Sequence, residues 1–239
     1  MSKRCLIIGA SGDIGAACAR ELIEDGYSVY LHYFSNESII TQLKQEIPAS
    51  QWIGASQADL ASDGGVASFI NKIDPQWDAV VFAGGHHWRG LFQEMTPEDM
   101  DHLYYLHMKA PWLIAKHVLP EMISRKQGQM VIVSSIWGEE GASLEAAYSA
   151  VKGAQISFVK GLAKEVAPSG IRINAITPGL ISSKMNADLS KEEIAELEDE
   201  IPLGRAGTCK EAAQSVAFLL SEKASYITGH ILKVNGGWN

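Results

Sequence analysis

A chain of 239 residues, 46% hydrophobic and 20% charged, has the length and composition of one α/β domain with a large core, and these values exclude a disordered or fibrous protein. Its formal net charge of -8 leaves no basic surplus to neutralise phosphates, which argues against general nucleic-acid binding. No apolar run approaches the roughly 18 residues of a membrane span.

The N-terminal stretch MSKRCLIIGAS enters a strand almost at once and leaves no room for a signal peptide, so a cytoplasmic protein is expected. Short β-branched runs at 4–8, 28–33, 52–56, 78–82, 129–134, 171–176 and 231–234 alternate with helical patterns at 14–25, 37–46, 64–73, 97–125, 146–166 and 209–221. Near-continuous apolar strands spaced by helices predict a doubly wound parallel sheet with helices on both faces. Without repeats or a Pro/Ser-rich linker, a single domain over 1–239 is the simplest reading. The segment KEEIAELEDEIP breaks the rhythm; a substrate lid near 183–204 is expected there, with a solvated surface helix as the alternative. Cys5 and Cys18 fall in the first strand and helix and read as small buried hydrophobes; Cys209 has no pairing or metal spacing with them.

The loop GASGDIG at 9–15 joins the first strand to the first helix. Gly9, Gly12 and Gly15 let backbone N–H groups approach an anion at the helix's positive end. Asp13 is expected as the N-cap of that helix, where its carboxylate accepts from free N–H groups. His86 and His87 follow the fourth strand; adjacent side chains diverge, so no shared metal is expected. Substrate contact fits them better, or exposure with Trp88 packed below. Two Y-x-x-x-K pairs occur, at 105–109 and 148–152. The spacing puts phenol and ammonium on one helix face, where the cation lowers the phenol pKa. Tyr148 lies thirteen residues after Ser135, which ends a strand, so hydroxyl and phenol can converge on one carbonyl. Tyr105 has no such partner, and core packing is expected for it. Glu139 and Glu140 are expected in a loop bordering the pocket.

With Gly9 to Gly15, Ser135, Tyr148 and Lys152 in this order, the chain resembles a classical short-chain dehydrogenase/reductase. The match includes Asp59 in ADL, NAITPG at 174–179 and the tail SYITGHILKVNGGW at 225–238; PLGRAG at 202–207 makes it most similar to the 3-oxoacyl-(acyl-carrier-protein) reductases. The resemblance implies a Rossmann-like sheet of about seven strands and a homotetramer. It implies Tyr148 as general acid in reduction, Lys152 as the group lowering its pKa and holding the ribose, and Ser135 as the group polarising the substrate carbonyl. Cofactor contacts are implied at Gly9, Ser11, Gly12, Asp13, Ile14 and Gly15, at Asp59 (adenine) with Leu60, and at Gly84 and Gly85. Further contacts are implied at Pro178, Gly179, Ile181 (carboxamide, through its backbone) and Ser183, besides Tyr148 and Lys152.

The chain departs from the pattern in three places. FAGG at 82–85 replaces the family's N-N-A-G, and His107 stands where the family has a catalytic asparagine that holds a relay water. As a catalytic candidate, His107 can also hold water and shuttle protons, and a pKa near ~6.5 would add pH dependence to the rate; a buried, satisfied histidine is the alternative. Thirdly, arginines associated with carrier-protein docking align with Gln129 and Ser169; their absence and the acidic charge argue against an acyl-carrier protein and favour a coenzyme A thioester or free ketone. After the second strand, HYFSN carries no acidic residue to bind a ribose 2′-hydroxyl. Ser35 and Asn36 can hydrogen-bond a 2′-phosphate, although Gly12 replaces a basic residue common in NADP-type relatives. NADP(H) is therefore favoured, with NAD(H) possible. The expected function is reduction of a ketone, best a 3-oxoacyl thioester. The alternatives are an NAD-dependent alcohol or sugar dehydrogenase and a nucleotide-binding regulatory protein with weak catalysis.

Overall fold

The computed structural model describes residues 2–186 and 189–238. Seven parallel strands form one sheet in the order β3-β2-β1-β4-β5-β6-β9. They are β1 (Arg4–Ile8), β2 (Ser28–Tyr33), β3 (Trp52–Gln57), β4 (Ala79–Phe82), β5 (Gly128–Val133), β6 (Ile171–Pro178) and β9 (Ile231–Val234). A small parallel pair, β7 (Ile181–Ser182) and β8 (Gly207–Thr208), lies beside it. The chain starts in the middle and winds outward both ways, so β1 and β4 flank the switch point where such sheets bind ligands.

Alternation along β1 divides the core. Cys5 and Ile7 point to a face covered by α1 (Asp13–Glu24), α2 (Glu37–Glu46) and α9 (Cys209–Leu220). Leu6 and Ile8 point to the other face, covered by α3 (Asp63–Ile70), α5 (Ala110–Arg125) and α7 (Ala146–Val166). Both faces are dry, which is why the strands read as apolar runs. Phe69, fully buried in the second layer, contributes ~3 kcal/mol on an area basis. Phe82 packs in that layer too, and Ala83 packs against the first, so the FAGG sequence fills space with apolar atoms.

The stretch expected as one helix over 97–125 is interrupted. α4 (Pro97–Tyr104) starts at a Thr96–Asp99 capping box, a π-turn occupies Tyr105–Lys109, and α5 follows. Proline explains the break: Pro111 has no N–H to give the carbonyl four residues back, which belongs to His107. A short α6 (Trp137–Glu140) follows β5, and α8 (Lys191–Glu200) is capped by a Ser190–Glu193 box. α8 has no buried residue, but Leu197 rests on the cluster of Ile136, Leu180, Ile201 and Trp238. Ala187 and Asp188, inside the expected lid, lie outside the described residues.

The loop after β1 passes so close to the loop after β4 that Gly9, at φ +79°, has no room for a side chain. A Cβ there meets the Gly84 Cα at 2.3 Å. Gly26 has a similar φ of +84° but open space around it. Gly9→Ala is expected to destabilise by roughly 3 kcal/mol or more from backbone overlap, and Gly26→Ala by only roughly 1–2 kcal/mol of left-handed strain. Denaturant unfolding of both variants checks this; equal losses would show that strain alone matters at Gly9.

Candidate active site

A cleft of about 500 Å3 opens at the carboxyl ends of the central strands. Ile14, Gly84, Gly85, Pro178, Gly179, Ile181 and Ser183 line it together with Ser135, Tyr148 and Lys152. Gly12 is the N-cap of α1 and has no side chain to cap with, so the first-turn N–H groups carry no side-chain acceptor. Uncapped N–H groups and a glycine loop without room for Cβ atoms suit a pyrophosphate, so the residues fit a dinucleotide. Gly9 and Gly15 shape that loop from behind; a Cβ on Gly15 would lie 2.2 Å from the Gly9 carbonyl oxygen. His32, at the end of β2, braces it: Gly9 N–H donates to His32 Nδ1 (3.2 Å), and His32 Nε2 donates to the Ala58 carbonyl (3.1 Å). Burial lowers the pKa of His32 to about 4, which keeps it in that neutral form.

Asp13 does not cap α1. Its position is one residue inside the helix, and Oδ2 instead accepts the backbone N–H of Lys184 at 2.6 Å. It thereby ties the phosphate loop to the segment leading to α8. Ser11 and Asp13 line a neighbouring depression that shares Ser183 with the cleft. Ser35 is exposed, and the Asn36 amide oxygen accepts from Ser38 Oγ; neither lines the cleft. Asp59 Oδ1 accepts from Ala61 N–H, beside the buried Leu60.

Tyr148 and Lys152 occupy one face of α7, both buried. Trp137 N–H donates to Ser135 Oγ (3.2 Å), and the Ser135 hydroxyl hydrogen-bonds the Tyr148 phenol. Lys152 Nζ donates to the Val133 carbonyl (3.0 Å) and stands 5.5 Å from the Tyr148 ring centre. Burial brings the Lys152 pKa down to about 7. Among the groups acting on the Tyr148 phenol, burial sets the direction. Burial, reinforced by the Glu145 carboxylate, holds the Tyr148 pKa well above its ordinary value, and the Ser135 hydrogen bond opposes this. Losing the proton would leave a buried anion, which is costly without a cation beside it.

His107 sits in the π-turn, 1% exposed, its ring 5.7 Å from that of Tyr148 and edge-on to it. It lies behind Gly85, where a Cβ would come within 2.6 Å of His107 Cε1. Nε2 is 2.8 Å from the His86 carbonyl, which only accepts, so Nε2 carries the hydrogen and Nδ1 is the bare acceptor. Burial, with Lys152 adding repulsion, holds its pKa far below 6.5. The expected titration near neutrality is thus corrected: the ring stays neutral.

The second Y-x-x-x-K pair is the π-turn itself and does not pack in the core. Tyr105 Oη donates to Asp63 Oδ2 (3.1 Å), and Lys109 Nζ lies 3.5 Å from Asp63 Oδ1. Both ends of the turn reach outward to α3. The vicinal histidines diverge: His87 lines the cleft, while His86 turns toward His102 and His107 at 6.1 Å from each. Trp88 packs with Met95, Leu103 and Tyr148. Glu139 and Glu140 turn away from the cleft toward Lys233 (3.6 and 4.0 Å) because they sit on the short α6 rather than a loop. The sequence reading missed Trp137 and Trp238, stacked edge-on at 5.3 Å in the cleft wall, and Arg89 at its rim. Among the described residues no three His, Cys, Asp or Glu side chains gather as a metal site.

The buried amine has a thermodynamic signature. Unfolded lysine holds its proton to about pH 10.4, whereas Lys152 releases it at about 7. Between these values the unfolded state binds more protons, so stability rises with pH. From about pH 7.5 to 8.5, where groups shared by both proteins cancel in the difference, the wild type should gain on Lys152→Met by up to ~1.4 kcal/mol. Denaturant unfolding of both proteins measures it; a pH-independent difference would contradict a depressed Lys152.

Residues 9–239 match the family described as Enoyl-(Acyl carrier protein) reductase. The Bacillus subtilis (strain 168) protein "Uncharacterized oxidoreductase YmfI" is 45% identical, over 100% of both chains. The "3-oxoacyl-[acyl-carrier-protein] reductase FabG" of Staphylococcus aureus (strain Mu50) is 34% identical over 99% of this chain and 98% of its own. A crystal structure described as a short-chain dehydrogenase/reductase, glucose/ribitol dehydrogenase, from Brucella melitensis superposes with a TM-score of 0.90 at 27% identity, covering 99% of this chain and 96% of its own. The chain belongs to the short-chain dehydrogenase/reductase family of NAD(P)(H)-using oxidoreductases.

Proposed function

We propose that the chain is an NADP(H)-dependent reductase of ketones, with a 3-oxoacyl thioester as its substrate class. The observation that carries the reading is the hydrogen-bonded pair of Ser135 and Tyr148 above the buried Lys152, opening on a cleft where Trp137, Leu180, Leu189 and Leu197 stand beside the polar His87, Arg89 and Glu145. Full-length similarity to proteins named 3-oxoacyl-[acyl-carrier-protein] reductase supports the thioester. Two of the three free cysteines are buried, which fits a reducing compartment such as the cytoplasm.

A nicotinamide cofactor held by the glycine loop, Ile14, Gly84 and Gly85 supplies the hydride. Ser135 donates a hydrogen bond to the substrate carbonyl oxygen and steadies the charge that develops there. Tyr148, protonated because it is buried, hands its proton to that oxygen. The tyrosinate left behind faces the Lys152 ammonium, whose attraction lowers the cost of the transfer.

For the cofactor, NADP(H) is supported by the absence of a carboxylate from 33–36 and by the exposed Ser35. One observation favours the NAD(H) reading: the Glu37 carboxylate hydrogen-bonds the Tyr33 phenol at the end of β2. With a short 3-oxoacyl thioester, NADPH oxidation should exceed NADH oxidation and fall about 10³-fold in Tyr148→Phe. Faster NADH oxidation, or activity on alcohols or sugars instead, would move the assignment to an NAD-dependent dehydrogenase; nucleotide binding without oxidation would favour a regulatory protein.

A homotetramer is part of the same proposal. α5 and α7 present an outward apolar groove with Trp112 and Ile123 38% and 43% exposed beside Phe158, a patch that suits self-association. Sedimentation should show a tetramer, and Trp112→Glu should shift it to smaller species; a wild-type monomer would refute it.

A further inference from the structure

α7 carries a further buried polar residue beside Tyr148 and Lys152. Gln155 lies three residues after Lys152, on the same face, and is 3% exposed. Its Nε2 donates to the His107 carbonyl at 2.8 Å. In an α-helical register that carbonyl would accept from residue 111, and Pro111 has no N–H, so Gln155 holds it from another helix. Two further atoms here are buried and without a partner among the described residues: Gln155 Oε1 and His107 Nδ1. Both are acceptors. The π-turn is thus held on its inner side by Gln155 and on its outer side by Asp63, through Tyr105 and Lys109.

We propose that Gln155 is a positioning residue for the reaction: by bonding the His107 carbonyl it fixes the π-turn so that the neutral His107 ring presents Nδ1 as an acceptor behind Tyr148 and Lys152. This inference rests on the oxidoreductase chemistry of the family and not on the choice of ketone. A neutral acceptor beside a buried ammonium favours its charged form. An imidazolium in the same place would oppose it. The groups that face the ring are Tyr148 and Lys152 from α7 and His86 from the loop after β4, with His102 of α4 behind His86. The charged pair of Lys109 and Asp63 lies on the outer side.

Replacing Gln155 with Met keeps its length and removes both polar atoms. Imidazole nitrogen NMR of the wild type should show His107 as the neutral Nε2–H form throughout the range from about pH 5 to 9, where a free histidine titrates near about 6.5. Gln155→Met should give a mixed or titrating ring, an about tenfold lower kcat with cofactor KM unchanged, and a downward shift of the pH profile. A wild-type ring that titrates near neutrality would overturn the proposal without any variant. So would a Gln155→Met protein that loses thermal stability but keeps its kcat, pH profile and His107 signal, since that is the mark of packing alone. The NMR readout needs no substrate, so its failure is distinct from a wrong choice of ketone.

Discussion

Lys152 spans the gap between α7 and β5 with its ammonium 3.0 Å from the Val133 carbonyl and its surface almost wholly covered. A charge so placed constrains everything within reach. His107, buried beside it, is held neutral by burial first and by repulsion from Lys152 second. A neutral ring must give its one hydrogen to something, and the His86 carbonyl receives it. That bond draws the loop after β4 against the ring, and Gly85 is the residue that can pass there. Burial and the adjoining amine together keep the ring neutral, and its hydrogen bond to His86 sets the tautomer and the path of the loop past Gly85.

The sheet makes this arrangement affordable in structural terms. Parallel strands end together, so β1, β4, β5 and β6 deliver their following loops to one edge of the molecule. β5 delivers Ser134 and Ser135: the first donates to the Lys152 carbonyl at 3.0 Å and locks α7 against the strand, and the second meets the Tyr148 phenol. β1 delivers the glycine loop, whose approach to Gly84 leaves no Cβ-sized space. The loop then reaches across the chain through Asp13, whose contact with Lys184 N–H places the approach to α8 beside the dinucleotide cradle. Catalytic pair, cradle and the segment over the cleft thus share rigid supports.

The strands were legible because both faces of the sheet are buried, so their residues form apolar runs that end at glycine or polar loops. The Ser135–Tyr148–Lys152 grouping was legible from spacing, since four residues along a helix make neighbours on one face. The π-turn was not, although its signal was present in Pro111, a proline inside a long helical pattern. Reading it required asking which carbonyl Pro111 leaves unpaired. Asp13 and Gln155 were illegible for another reason: their partners lie 171 and 48 residues away in sequence, and no local pattern encodes which distant N–H or carbonyl will arrive. Tyr105 was misread because aromatic composition says nothing about which helix side faces α3.

The end of β2 follows the same logic of commitment. His32 is neutral and spends both nitrogens on structure, one receiving Gly9 N–H and one donating to Ala58. The strand end is therefore closed to the ribose, and discrimination passes to the groups after it. Of these, Ser35 is exposed, Asn36 is engaged by Ser38, and Glu37 is hydrogen-bonded to Tyr33. A 2′-hydroxyl could share the Glu37 carboxylate without disturbing it, whereas a 2′-phosphate would be repelled unless the carboxylate stays turned toward the phenol. Tyr33, by holding Glu37, lowers that repulsion. The Tyr33–Glu37 bond stands one step beyond the position where a strand-end acid would meet a ribose directly.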